Sequence, residues 1–192
     1  MSDVGRKTNG TTEASQSGNS RPLLFVTVGT SFSFDRLVTA VEQAVLRGAV
    51  NVDVFAQIGR GGYVPRSFPS TENLSKMEYD RWFRSADAIV GHAGMGTISM
   101  ALELSKPILV MPRLRKYREI VNSHQLRAAR EYAARGHVLA AYSAEDVAAA
   151  LEVLISFKPL ARVSAPASVA ERIGRFIGDQ QYRRSRPDSR DA

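Results

Sequence analysis

Residues 87–112 hold the feature that most limits the fold. Ala88-Ile89-Val90 is an uninterrupted apolar run, and Gly91-His92-Ala93-Gly94-Met95-Gly96 is a glycine-rich turn. Thr97 then opens a stretch with Ile98, Ala101 and Leu102 at helical spacing; Lys106-Pro107 closes it, and Ile108–Met111 is a second apolar run. Apolar runs without polar alternation fit strands buried on both faces. Strand, glycine loop, helix, strand is the order of a βαβ unit. Glycines let a ligand approach the backbone closely, and the free N–H groups of a helix start favour an anion. A phosphate-bearing ligand is therefore the first expectation at Gly94–Thr97; the alternative is that the glycines serve only the geometry of the turn. The loop is not a P-loop, because no Gly-Lys-Ser/Thr follows. It is not the dinucleotide fingerprint either, because only Gly94-x-Gly96 is present.

The same grammar recurs along the chain. Leu23–Val28 reads as a strand running into Gly29-Thr30-Ser31, where N–H and hydroxyl donors could meet an anion or simply cap the next helix. That helix spans Phe34–Leu46, with Leu37, Val38, Val41, Ala44 and Val45 on one side. Val52–Ile58 is a second strand ending in Gly59-Arg60-Gly61-Gly62. After an irregular stretch, where Phe68 is expected on a short strand, Met77–Ser85 is helical with Trp82 and Phe83 facing the core. Beyond the central unit come the basic loop Pro112–Glu119, a helix over about 121–135 that opens near Asn122, His124 and Gln125, a strand Val138–Ala141 and a helix Glu145–Phe157. Ala170–Tyr182 is a further candidate helix. Repeated strand–helix units predict an α/β fold: a Rossmann-like parallel sheet with helices on both faces. The loops at Gly29, Gly59, Gly94 and Arg113 all follow strand ends and are expected to converge on one edge of it.

Composition sets the limits around this core. The chain of 192 residues has room for one domain, expected over residues 21–160. Residues 1–20, rich in Ser, Thr, Gly and Asn, are expected to be a disordered leader, and residues 161–192 a C-terminal helix and basic tail. Without cysteine there is no disulfide and no thiolate metal site, and no His/Asp/Glu cluster has ligand spacing, so no metal is expected. No apolar stretch is long enough for a transmembrane helix, and the N-terminus lacks the apolar segment of a signal peptide. The net charge of +7 suits an anionic ligand or membrane face. No basic patch interleaved with aromatics and no helix-turn-helix pattern is present, so nucleic acid is not an expected partner.

Val26-Thr27-Val28-Gly29-Thr30, Gln57-Ile58-Gly59, His92–Thr97, Lys106-Pro107-Ile108, Met111-Pro112-Arg113 and Asn122-x-His124-Gln125 together carry a resemblance. Over residues 22–157 the chain resembles the C-terminal domain of glycosyltransferase family 28. More narrowly, it is similar to stand-alone half-enzymes of the GT-B fold: the nucleotide-sugar-binding subunit of the split N-acetylglucosamine transferase of lipid-linked glycan assembly, and subunits of bacterial exopolysaccharide synthesis. The resemblance implies a hexosyl- or glucuronosyltransferase that takes a UDP-sugar donor, needs no cofactor and inverts the sugar. It implies a membrane-anchored partner subunit that binds a polyprenyl-diphosphate-linked glycan acceptor and supplies the base, with this chain peripheral at the cytoplasmic membrane face. A complete two-domain enzyme of this kind needs about twice as much chain.

The donor site implied by the resemblance comprises Gly29, Thr30, Ser31, Ile58, Gly59, His92, Gly94, Met95, Gly96 and Thr97. His124 and Gln125 would contact the donor sugar, and Arg113 the diphosphate or a sugar carboxylate. One position departs from the pattern. Met100 stands where related sequences often place the Glu that holds the ribose hydroxyls; Glu103, three residues on and on roughly the same helix face, is expected to take over, or the ribose to be held elsewhere. The alternative function is a non-catalytic nucleotide-sugar-binding module that regulates or scaffolds a glycan-assembly complex.

Overall fold

The computed structural model describes residues 21–30 and 32–161. The expected leader, nearly all of the C-terminal helix and tail, and Ser31 lie outside the described residues. The strands are β1 (Leu23–Thr27), β2 (Asp53–Gln57), β3 (Ser70–Thr71), β4 (Ala88–His92), β5 (Ile108–Met111) and β6 (Leu139–Ala140). The helices are α1 (Asp35–Leu46), α2 (Lys76–Ser85), α3 (Met95–Glu103), α4 (His124–Ala134) and α5 (Ala144–Leu154). The strands form one parallel sheet in the order β3-β2-β1-β4-β5-β6.

The apolar runs are strands because both of their faces are covered. Leu24 and Val26 of β1, Ala88 and Val90 of β4, and Leu109 and Met111 of β5 point into one core, where Leu37, Val38 and Val41 of α1 meet Val147, Leu151 and Leu154 of α5. The alternate residues Phe25, Ile89, Ile108 and Val110 point into a second core under α2, α3 and α4, with Phe83, Ile98, Ala101 and Ala129. Trp82 and Phe83 face that second core as the sequence predicts; Trp82 stacks on Phe55 with centroids 3.9 Å apart. Full burial of side chains this size stabilises the fold by roughly 1.5–3 kcal/mol each.

Several boundaries differ from the sequence expectation. Strand β4 runs on through Gly91 and His92. A Cβ at Gly91 would lie 3.1 Å from the Thr27 carbonyl oxygen and 3.2 Å from Thr97 Cγ2, so this glycine lets β1, β4 and α3 pack closely rather than making a turn. Helix α3 starts at Met95, two residues before Thr97. Phe68 precedes the two-residue strand β3 and its side chain is in the core. Helix α4 starts at His124.

From β1 the chain crosses through α1 toward β2; from β4 it crosses through α3 toward β5, in the opposite direction along the sheet. The loops after β1 and β4 therefore diverge and leave a crevice at the strands' carboxyl ends, where open α/β sheets take ligands. The helix starts around this edge are of two kinds. Ser75 and Ser143 cap α2 and α5 with reciprocal capping boxes, whereas α1, α3 and α4 have no side-chain cap. Among the described residues no helix is long and apolar enough to cross a membrane.

Candidate functional site

The crevice at the β1/β4 divergence encloses about 470 Å³ and is lined by Gly29, Thr30, Gln57, Asn73, Leu74, Lys76, Tyr79, Asp80, His92, Gly96, Thr97 and Met100. Its floor is a sandwich of glycine, imidazole and glycine. A Cβ at Gly29, whose φ is +80°, would lie 2.7 Å from His92 Cε1, and a Cβ at Gly94 would lie 2.2 Å from His92 Nε2. Only glycine fits on either side of that ring. Burial, and then the positive charge of Arg113, push the His92 pKa down to about 4 against the opposing Thr27 carbonyl. The ring is therefore neutral at physiological pH and brings no positive charge to a ligand. Its buried Nδ1 has no hydrogen-bond partner.

Two long side chains hold the β1–α1 loop over this floor. Gln57 Nε2 donates to the Gly29 carbonyl at 2.9 Å and to the Glu72 carbonyl at 3.1 Å, while its Oε1 accepts from Thr27 Oγ1 at 2.9 Å. The buried Arg113 guanidinium donates to the carbonyls of Ser33 (2.6 Å), Val28 (2.9 Å) and Phe32 (2.7 Å) and stacks over the Phe34 ring at 4.6 Å. Burial lowers the Arg113 pKa.

The roof is the start of α3. With no side-chain cap, its first-turn N–H groups are left to solvent or a ligand. Gly96 has nothing within 4 Å of where a Cβ would stand, so the backbone there faces open space. The far wall is α2, where Lys76, Tyr79 and Asp80 share one helical face. Burial pushes the Tyr79 phenol up. Asp80 Oδ2 pairs with Lys76, while Oδ1 is shielded from solvent and without a partner. Open N–H donors above, with a carboxylate residue and an apolar stretch of Leu74 and Met100 beside them, are chemically suited to a phosphorylated ligand with a ring and hydroxyls.

The family model described as the glycosyltransferase family 28 C-terminal domain matches residues 23–173. This chain belongs to that family. Among curated proteins it is 34% identical over 126 residues to the human "UDP-N-acetylglucosamine transferase subunit ALG13", covering 60% of this chain and 10% of that protein; the mouse counterpart is 32% identical over 124 residues. The chain thus spans about a tenth of the length of those relatives. Solved structures share the fold. An ALG13 solution structure superposes with a TM-score of 0.53 at 21% identity, covering 77% of this chain and 93% of that one. MurG of Acinetobacter baumannii superposes with a TM-score of 0.52 at 18% identity, covering 71% and 41%. The kitacinnamycin glycosyltransferase gives 0.54 at 19%, covering 80% and 39%.

In this family 28 domain the residues singled out from sequence separate into three groups. Gly29, Thr30, His92, Gly96 and Thr97 line the crevice, and Gly94 packs beneath it against His92. Ile58, Gly59, Arg113 and Gln125 are supports. The Ile58 side chain is buried in the core, a Cβ at Gly59 would meet the Ser33 backbone at 3.0 Å, and Gln125 Oε1 accepts from the Arg113 backbone N–H at 3.0 Å. Arg113 directs three of its guanidinium N–H groups to the chain's own carbonyls and is not among the residues lining the crevice. Met95, His124 and Glu103 lie outside the crevice. Glu103 ends α3, is exposed, and is not among the residues lining the crevice, whereas Met100 is. Three residues along a helix carry a side chain about 4.5 Å away from the N-terminus. Residues the sequence reading passed over are Asn73, Leu74, Lys76, Tyr79 and Asp80; the spacing of the last three on α2 was the available signal.

Proposed function

We propose that this chain is the donor-binding half of an inverting UDP-sugar-dependent glycosyltransferase. Its partner is a membrane-anchored subunit, with which it adds a sugar to a polyprenyl-diphosphate-linked glycan in exopolysaccharide or related lipid-linked glycan assembly. The reading is carried by one observation: the uncapped α3 start opens through Gly96 onto the crevice at the β1/β4 divergence. Transfer breaks the C1–O bond while UDP leaves with growing negative charge. Fixed N–H donors at a helix start stabilise such charge without reorganising. With His92 neutral and Arg113 occupied, that task falls to the backbone of α3. Asp80, the carboxylate residue that lines the crevice, takes the ribose hydroxyls in this reading, in the place of the Glu that Met100 replaces. The curated relatives are described as a transferase subunit, which supports a partnered enzyme. The site for the acceptor's glycan and the base are placed on the partner, and the chain sits peripherally at the cytoplasmic membrane face through it.

The test is sugar transfer to a lipid-linked acceptor in membranes, with this chain alone and with its candidate partner. UDP-glucose, UDP-glucuronate, UDP-galactose and UDP-N-acetylglucosamine are offered in turn. Transfer only in the paired sample, lost in Gly96→Trp, is the expected result and names the donor. Saturable UDP binding with no transfer in any pairing would assign a non-catalytic module instead. Asp80→Asn is expected to weaken UDP binding about tenfold while leaving binding of 2′,3′-dideoxy-UDP unchanged.

A further inference from the structure

A second groove, of about 720 Å³, lies on the other side of the β1–α1 loop from the crevice, between that loop and the segment following β5. Four arginines line it against two carboxylates, Asp35 and Glu119. Both carboxylates are engaged within the chain. Asp35 Oδ1 accepts from the Tyr63 N–H at 2.9 Å, and Glu119 forms a two-bond pair with Arg36 at 2.9 and 2.8 Å. Arg36 Nη1 remains buried without a partner. Arg115 and Arg118 are exposed and form no ion pair among the described residues. They flank a single 3-10 turn, Arg115–Tyr117, held by Arg118 in the left-handed conformation at φ 57°. The rim is apolar and uncovered: Phe32 is 71% exposed, Val121 87% and Tyr117 51%.

Unpaired guanidiniums suit phosphate oxygens. Large exposed apolar side chains at the mouth of the same groove suit a hydrocarbon chain. A nucleotide base can stack on Phe32 or Tyr117, but the aliphatic Val121 at the same mouth suits a branched hydrocarbon better. A prenyl diphosphate matches both, and its charge complements a lining in which arginines are in excess. We infer that the groove between the β1–α1 and β5–α4 loops binds the diphosphate of a polyprenyl-linked acceptor through Arg115 and Arg118, with Phe32 and Val121 against the first isoprene units. This rests on the donor-binding reading and extends it. The β1–α1 loop has donor on one face and acceptor diphosphate on the other, so this chain itself takes part in bringing the two substrates together.

The test titrates the full 192-residue chain with farnesyl diphosphate, inorganic pyrophosphate and UDP, each in parallel. Farnesyl diphosphate is expected to bind at least tenfold more tightly than pyrophosphate. Arg115→Gln combined with Arg118→Gly, the latter suited to the left-handed backbone, is expected to weaken farnesyl diphosphate at least tenfold and leave UDP within twofold. Phe32→Ser with Val121→Ser is expected to bring farnesyl diphosphate down to the pyrophosphate level. Equal farnesyl diphosphate binding by the wild type and the double-arginine variant overturns the inference. So does arginine-dependent binding to phosphatidylglycerol vesicles as strong as to phosphatidylcholine vesicles doped with the diphosphate, which would assign the groove to the bilayer surface. Loss of UDP binding in the wild type sinks the donor reading instead, whatever farnesyl diphosphate does.

Discussion

Helices α5 and α3 begin in opposite ways. At α5, Ser143 Oγ accepts from the Asp146 N–H at 3.2 Å, and Asp146 Oδ2 takes the N–H groups of Ser143 and Tyr142 at 3.0 and 2.9 Å. Helix α2 repeats the device with Ser75 and Glu78. At α3 the cap position is Gly94, which has no side chain to offer, and α1 and α4 are likewise uncapped. The division follows the sheet. The capped helices follow the edge strands β3 and β6, and the uncapped ones follow the central strands β1, β4 and β5. A missing cap costs about 1 kcal/mol. The chain supplies caps at the sheet's margins, even at α2, whose Lys76 lines the crevice, and omits them at its centre, where only the α3 start lies on the crevice. The same N–H groups cannot serve both a cap and a ligand.

Substitution should break this division most sharply at Gly94. Gly94→Ala puts a Cβ against His92 Nε2. Overpacking of this kind is expected to cost about 3 kcal/mol in a denaturant melt and to weaken UDP binding by more than tenfold. A melt unchanged from wild type would mean the imidazole is not wedged there.

Acid should separate the two ends of the comparison as well. Folded His92 takes up a proton only near pH 4, whereas in the unfolded chain it does so near 6.5. Between those values the unfolded state binds more protons. Stability therefore falls as pH drops from 6.5 to 4, by on the order of 3 kcal/mol, and this loss levels off below. His92→Gln is expected to flatten that segment of the pH–stability curve; an unchanged slope would reassign it to other groups.

At the capped ends the effect is smaller. Ser75→Ala and Ser143→Ala are each expected to cost about 1 kcal/mol and leave UDP affinity alone. The smallest change has the opposite sign. Gly96→Ala has room for its methyl group and raises helix propensity, so it should stabilise the fold by about 0.5 kcal/mol or slightly more while weakening UDP binding. A gain in both would remove Gly96 from the ligand's path.

The sequence made the central elements legible because Phe25, Ile89, Val90, Leu109 and Val110 sit in unbroken apolar runs, which only a strand covered on both faces explains. The edges were not legible: Ser70–Thr71 is too short and polar to announce a strand, and exists because β2 lies beside it. The early start of α3 was hidden by Gly94 and Gly96, poor helix formers that the site requires at that end. In the crevice, local spacing revealed the glycines but not their partners. That Arg113 donates to carbonyls some 80 residues away, or that Asp80 and Gly96 line one crevice, depends on the closed sheet. Glu103 shares a helix face with Met100 but lies a turn further from the α3 start, and the crevice lining reaches Met100 and not Glu103.

The two-residue edge strands have a consequence for a chain with open grooves. Ser70–Thr71 and Leu139–Ala140 each offer a template only two residues long, and Ser70–Thr71 lacks large apolar side chains. Long, flat, apolar edges invite strand addition between copies and, from there, fibres. With both margins cut short, copies of this chain have little strand edge through which to zip sheet to sheet.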